Sequence, residues 1–335
     1  MIIEHSIGLS MSRYFFIVLL LSVLFVSSGK AQEANISIAS EFEKIYSTTV
    51  VLMDSDALSF GVGNFDPEEL LRRNDDDTVN EALNLRNQIS VLAIPYTIEL
   101  GTDLETYEDH LNIQLAYVKQ EAEVSLFEDI EPDFDKEQAY GLSVGYSRKW
   151  FLNKNWTLAP ALSAYFIHYK NTHLYNSEET RAFQPQLDGI LFNQKKNAIL
   201  LEPGIELAYL KNNDWGAWEF TSEAYFMSGR TTSALADGSY ARPEGWRIIN
   251  GVKVKNTFKE AKLFANDFYF KAHRVDIRGD TVHTLGTQHY YKIGFGILWD
   301  IRKLTDLVEN VGIGININHG SAISGGSIVL YINEW

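Results

Sequence analysis

The closing stretch from Val311 to Trp335 limits the possible folds more than any other part of the chain. Val311, Ile313, Ile315 and Ile317 alternate with Gly312, Gly314, Asn316 and Asn318, and after a break Ile328 to Ile332 runs on to Trp335. A period of two means a strand whose two faces meet different surroundings. On a soluble sheet the polar face carries Lys, Thr and Glu; here it carries glycine and amide. Apolar side chains facing lipid and small polar ones facing a lumen account for that pairing, which is the pattern of a transmembrane β-barrel.

The same alternation recurs from Leu58 onward. Tyr140, Leu142, Val144 and Tyr146 oppose Gly141, Ser143, Gly145 and Ser147, and Tyr291, Ile293, Phe295, Ile297 and Trp299 oppose Lys292, Gly294 and Gly296. The second strand, about Gln88 to Leu100, has two competing phases: Leu92, Ile94, Tyr96 and Ile98 against Ile89, Val91 and Ala93. Strand one is expected over Leu58 to Asn64 and strand nine over about Ala261 to Val275. The reading gives about twelve strands, an even number that closes an antiparallel barrel with both ends on one side. Links after the odd strands are long, as in Phe65 to Asn87, Gln120 to Lys136, Asn171 to Lys196, Thr231 to Gly245 and Asp276 to Thr284. After even strands they are short, as in Phe151 to Asn155 and Asn212 to Gly216. A soluble sandwich has no reason to alternate so, whereas outer-membrane barrels place long loops outside and tight turns in the periplasm. Leu187 to Phe192 is assigned to a loop.

Three segments follow. Residues 1–31 read as a signal peptide: Arg13 flanks the apolar run Phe15 to Val26, and Gly29-Lys30-Ala31 precedes Gln32 as a cleavage site, with Met1 and Met11 both open as starts. Residues 32–56 form an N-terminal helix or plug segment. Ser40 and Glu43 have the spacing of a capping box, and Ile38, Phe42 and Ile45 share a helical face. Residues 57–335 are the barrel. The expected location is the outer membrane of a Gram-negative cell. A net charge of −15 excludes nucleic acid as a natural partner. The chain has no cysteine, so neither disulfides nor thiolate metal sites can stabilise it. Its 17 Tyr and 7 Trp suit the aromatic girdles of a membrane barrel.

Over the mature chain the sequence resembles the solitary outer-membrane autotransporter-like β-barrel domain family, a passenger-less translocator barrel. The residues that carry the likeness are Ser59-Phe60-Gly61-Val62-Gly63-Asn64-Phe65-Asp66-Pro67, Pro243-Glu244-Gly245-Trp246, Arg274-Val275-Asp276, His289-Tyr290-Tyr291 and Val311 to Leu330. The resemblance implies a twelve-stranded barrel with a helix threaded through its pore, and Ala39 to Thr48 stands in the matching place. The span from Gln32 to strand one is too short for a passenger. None of these motifs is catalytic.

If the apolar faces point to lipid, Glu202, Glu206, Glu219 and Glu223 point inward, as do Arg247, Lys253, Lys255, Lys149 and Lys292. Two readings follow: a transverse field that selects small polar solutes, or cross-strand ion pairs that close the lumen around the helix. His319-Gly320-Ser321 has the spacing of a base and a nucleophile in outer-membrane phospholipases, but a tight turn accounts for it. Asp276, Asp280, His283 and His289 suit an outer-membrane protease less well than a solvated loop. Asp75-Asp76-Asp77 and Glu128 to Glu137 read as solvated acidic loops. Val329, Tyr331 and Trp335 form an alternating phase for recognition by the barrel-assembly machinery, with Ile328, Leu330 and Ile332 as the competing register. The expected role is non-enzymatic, a narrow pore or a structural surface barrel, with no catalytic residue, metal or cofactor. Its expected partners are outer-membrane lipid, lipopolysaccharide and the assembly machinery, with small polar solutes or a separate protein as further partners. An outer-membrane hydrolase and a translocator of a separately encoded polypeptide are the alternatives.

Overall fold

The computed structural model describes residues 38–54, 58–60, 87–103, 106–124, 131–257, 267–301, 310–320 and 324–332. Helix α1 (Ile38–Met53) precedes twelve strands: β1 (Leu58–Phe60), β2 (Asn87–Asp103), β3 (Tyr107–Val124), β4 (Asp133–Phe151), β5 (Trp156–Leu174), β6 (Lys195–Asn213), β7 (Gly216–Thr231), β8 (Glu244–Thr257), β9 (Asp267–Gly279), β10 (His289–Asp300), β11 (Asn310–Gly320) and β12 (Ser324–Ile332). Short helices α2 (Glu178–Arg181), α3 (Gln184–Leu187) and α4 (Thr281–Leu285) decorate the loops. Each strand pairs antiparallel with its sequence neighbours, and β1 pairs with β12, so the sheet closes into a barrel. The closing contact is made by Leu58 to Phe60, and closure is what a sheet in lipid requires, because unpaired backbone groups there are costly. None of the described helices is long and apolar enough to cross a membrane.

The faces sort as the alternation demands. Leu115, Leu142, Val144, Phe166, Ile199, Leu201, Phe295 and Ile313 are exposed on the outer surface. Their neighbours Ala116, Ser143, Tyr165, Ile167, Ala198 and Leu200 are buried inside. At the turn end Trp156, Tyr209 and Trp218 meet in sequence, the first pair edge-on and the second tilted, with ring centroids 5.0 and 5.3 Å apart. Near the loop end Tyr117 and Tyr140 make a second aromatic step. The turn between β6 and β7 needs only Asp214 and Trp215, and Gly216 ends it at φ 144°, where an added Cβ would strike the backbone of Lys255.

The second strand takes one phase: Ala93 is buried with Ile89 and Val91 against the interior, while Ile94 and Tyr96 face out. The long links are shorter than the sequence suggests. β3 runs on to Val124, β4 starts at Asp133, β5 reaches Leu174, and β9 reaches Gly279 before α4. Polar side chains at these strand ends end the hydropathy signal, although the backbone ladder continues. Two turn assignments also change. Asp133, Asp135 and Glu137 stand in β4, not in a solvated acidic loop, and His319 lies within β11, paired with Tyr291 and Ser324. Ser40 is inside α1, so it does not cap the helix, and Glu43 instead accepts the Arg242 backbone N–H at 2.8 Å. Residues 1–31, strand-one residues beyond Phe60, Asp75 to Asp77, Ser321 and Trp335 lie outside the described residues.

Candidate functional site: the plugged lumen

The interior is organised around α1. Phe42, Tyr46, Val50, Val51 and Met53 are buried, and they pack with Tyr165, Ile167, Tyr169, Ala198, Leu200 and Ile249 of the wall. Phe42 and Tyr46 meet the Tyr169 ring at 5.6 and 6.4 Å. Two hydroxyls on the buried helix bond back to its own backbone: Ser47 donates to the Glu43 carbonyl at 2.8 Å and Thr49 to the Ile45 carbonyl at 2.8 Å, while those of Tyr46 and Thr48 are buried without a hydrogen-bond partner among the described residues. The helix N-terminal half lies at the long-loop mouth, where it meets Arg242 and packs on α4. Its C-terminal end reaches mid-lumen, where the Gln114 side chain donates to the Met53 carbonyl at 2.6 Å. Gly141 of β4 makes room for the Met53 side chain; an added Cβ there would clash with its Cε and Sδ.

Asp54, the residue after the helix, fastens this end. Arg247 Nη1 lies 2.8 Å from its carboxylate and Lys292 Nζ 3.5 Å, and the same Lys292 donates to the Asp54 carbonyl at 3.1 Å. Arg247 also reaches Glu202 at 3.3 Å, Tyr165 donates to Glu202 at 2.7 Å, and the guanidinium sits 4.7 Å over the Tyr225 ring. Arg247 and Glu202 are each 3% exposed. Burying such a pair is costly unless both charges are matched and hydrogen-bonded. Here Arg247 is matched by two carboxylates, with its Nε left without a hydrogen-bond partner among the described residues, and Glu202 has a cation and a phenol.

The structure places all nine charged residues from the sequence reading on the inward face, and it divides them. Arg247 and Lys292 converge on Asp54, and Glu202 joins them through Arg247. Towards the turn end Lys253 faces Glu219 at 4.0 Å, and Lys149 faces Glu108 at 3.7 Å. Glu206 and Glu223 stand directly opposite one another in the β6–β7 register, and Tyr225 donates to Glu223 at 2.9 Å. Ala217 and Lys255 are register partners. Val329 and Tyr331 also point inward, buried against Tyr269 and Leu298, while Ile328 and Leu330 form the outward phase of β12.

A third cluster near the loop mouth went unread in the sequence. The His173 ring lies between two carboxylates, with Nδ1 2.9 Å from Asp135 and Nε2 3.3 Å from Asp133. Phe192 stacks on it at 3.7 Å, and the His173 side chain is fully buried. Asp133 also accepts the Asn176 N–H at 2.7 Å and the Thr180 hydroxyl at 3.0 Å, so the cluster pins the loop after β5. Within that loop burial pushes the Tyr175 phenol up, helped by its hydrogen bond to Asp188. Burial acts to raise the Asp188 carboxyl, but hydrogen bonds from Gln184, Asn193 and Tyr175 outweigh it and hold it below its usual range. The signal for this site was the alternation Asp133-x-Asp135-x-Glu137 running in phase into Ala139 and Gly141. Asp276 is clasped by Arg274 through two hydrogen bonds of 2.9 Å, and Asp280 accepts the Glu244 N–H at 2.8 Å. Among the described residues no group of three or more His, Cys, Asp or Glu is arranged to hold a metal.

Residues 43–334 match the family model of the solitary outer membrane autotransporter beta-barrel domain. The chain belongs to that family. This solitary autotransporter barrel has no match among curated proteins. Solved structures share its fold at low identity. One is the transport unit of the autotransporter AIDA-I from Escherichia coli, with a TM-score of 0.53 and 13% identity, covering 90% of this chain and 98% of the other. Another is the translocator domain of the autotransporter NalP from Neisseria meningitidis, with a TM-score of 0.50 and 10% identity, covering 88% and 95%. The family places the solitary barrel in the outer membrane.

Proposed function

We propose that the protein is a non-catalytic, self-plugged outer-membrane pore. Helix α1 keeps the lumen shut, and small polar solutes pass along the charged periplasmic half when α1 leaves its seat. The observation that carries this reading is the seat itself: Asp54 held by Arg247 and Lys292 beneath a helix packed into the upper lumen. A hydrophobic helix core closes the upper lumen to hydrated ions, while Glu219, Lys253, Glu206 and Glu223 line the part below. Opposed charges on a narrow wall discriminate by sign and size.

Single-channel recording of the refolded mature chain in planar bilayers tests the proposal, beside a variant lacking Gln32 to Asp54. The intact chain is expected to be silent and the deletion to conduct steadily, with ion selectivity altered by Glu206→Gln or Lys253→Gln. Equal conductance in both proteins would overturn it.

A further inference from the structure

The outward face carries its own charge pattern, at the long-loop end of strands β3 to β6. Lys170 on β5 and Lys195 on β6 are direct cross-strand partners, so both ammonium groups stand on the same outward face. That phase is fixed by their strands: Phe166, Ile199 and Leu201 are exposed, while Tyr169, Ala198 and Leu200 between them are buried. Like charges directly opposite one another repel and cost stability. Lys136 lies diagonal to Lys170, opposite Thr172, and Lys119 lies two strands away through Gln138. Glu121 is shared by Lys119 at 2.9 Å and Lys136 at 3.6 Å. Among the described residues four cations thus share a surface four strands wide with two carboxylates, Glu121 and Glu123 of β3, on a chain whose overall charge is −15.

What lies beneath this patch identifies its partner. One step towards mid-membrane, Tyr117, Tyr140 and His168 form an aromatic tier, with Tyr140 5.0 Å from Tyr117 and 6.2 Å from His168. Below that tier Leu115, Leu142, Phe166 and Ile199 are exposed as part of the lipid-facing belt. Acyl chains, a sugar-level aromatic step and phosphates follow in that order on a phosphorylated glycolipid of the outer leaflet. Adjacent strands are about 4.8 Å apart, so the patch spans roughly 15 Å, room for more than one phosphate. The opposite membrane edge differs: there the outward Arg148 is matched by Asp109 through hydrogen bonds of 2.7 and 2.9 Å.

We propose that the outward face of Lys119, Lys136, Lys170 and Lys195 is a docking site for an outer-leaflet glycolipid carrying two phosphate groups. One phosphate bridges Lys170 and Lys195, and the acyl chains lie over Phe166 and Ile199. The site is independent of the plug, so it stands or falls separately from the pore.

Native mass spectrometry and thermal unfolding of the refolded full chain in a zwitterionic detergent test it, with bisphosphorylated lipid A as the probe. Binding to K170Q/K195Q is expected to be roughly 30-fold weaker than to the unaltered chain, the combined effect of two surface lysines on an anionic lipid. Lys211→Gln, altered on the outward face near the turns, is expected to bind normally. In lipid-free detergent K170E is expected to melt no lower than the unaltered chain, because it turns a repulsive pair into an attractive one, yet to lose the thermal shift given by lipid A. Equal binding by K170Q/K195Q, equal binding of singly charged phosphatidylglycerol, the same shift from inorganic pyrophosphate, or a lowered melting temperature for K170E would each overturn the proposal.

Discussion

Arg247 and Lys253 stand on the same strand and the same inward face, each near acidic side chains, yet they do different work. Arg247 is 3% exposed and is held by Asp54, Glu202 and the Tyr225 ring. Lys253 is 17% exposed and meets Glu219 only at 4.0 Å. The difference is the plug: α1 ends beside Arg247 and leaves Lys253 in the wetter half below. One charge pattern along a strand therefore yields a dry latch where a helix covers it and a solvated lining where none does. In the dry half an ion pair is structural, because breaking it strands a buried charge; in the wet half the same pair is worth little to stability.

Breaking the latch gives the largest expected effect. Arg247→Met leaves the buried Glu202 without its cation and Asp54 with Lys292, and is expected to destabilise the barrel by roughly 3–5 kcal/mol, measured by urea unfolding in micelles. Changing Arg247 and Glu202 together to Met and Gln is expected to recover part of that loss, since the two act as one unit. Asp54→Asn separates the plug from the wall while keeping the Arg247–Glu202 pair. Its expected cost is smaller, about 1–2 kcal/mol, but brief channel openings are expected to appear, against the silence expected of the unaltered chain. Gly141→Val presses on Met53 and is expected to produce openings of the same kind with Asp54 intact, a check that displacement of the helix, and not the charge itself, opens the lumen. The smallest effect is expected from Lys253→Gln, within about 1 kcal/mol of the unaltered chain. In the protein lacking α1 that same change is expected to shift the cation-to-anion permeability ratio. A stability loss for Lys253→Gln as large as that for Arg247→Met would erase the distinction between the two halves.

The alternation in β10 and β11 was legible because lipid touches one face and glycine the other. It was not legible in β2, where Ile89, Val91 and Ala93 face an apolar plug and Leu92, Ile94 and Tyr96 face lipid. An apolar object inside the barrel erases the contrast that reveals a strand. The inward direction of Glu202 and Arg247 followed from strand phase alone, but their common partner Asp54 did not: nothing in the sequence ties a residue at a helix end to a cation far along the chain. The His173 cluster was hidden for a related reason. Asp133 and Asp135 sit in an acidic run that reads as a loop, and only the β4–β5 register brings Asp135 opposite His173.

The direction of α1 has a mechanical consequence. Its first turns lie at the outer mouth and its last residue is tied to the wall, so tension applied from outside pulls along the helix axis. Such a load peels Phe42 and Tyr46 from Tyr169 first and unwinds the backbone turn by turn, reaching the ion pairs of Asp54 last. The plug is thus a graded tether: it yields in small steps near the surface and resists most at its inner anchor.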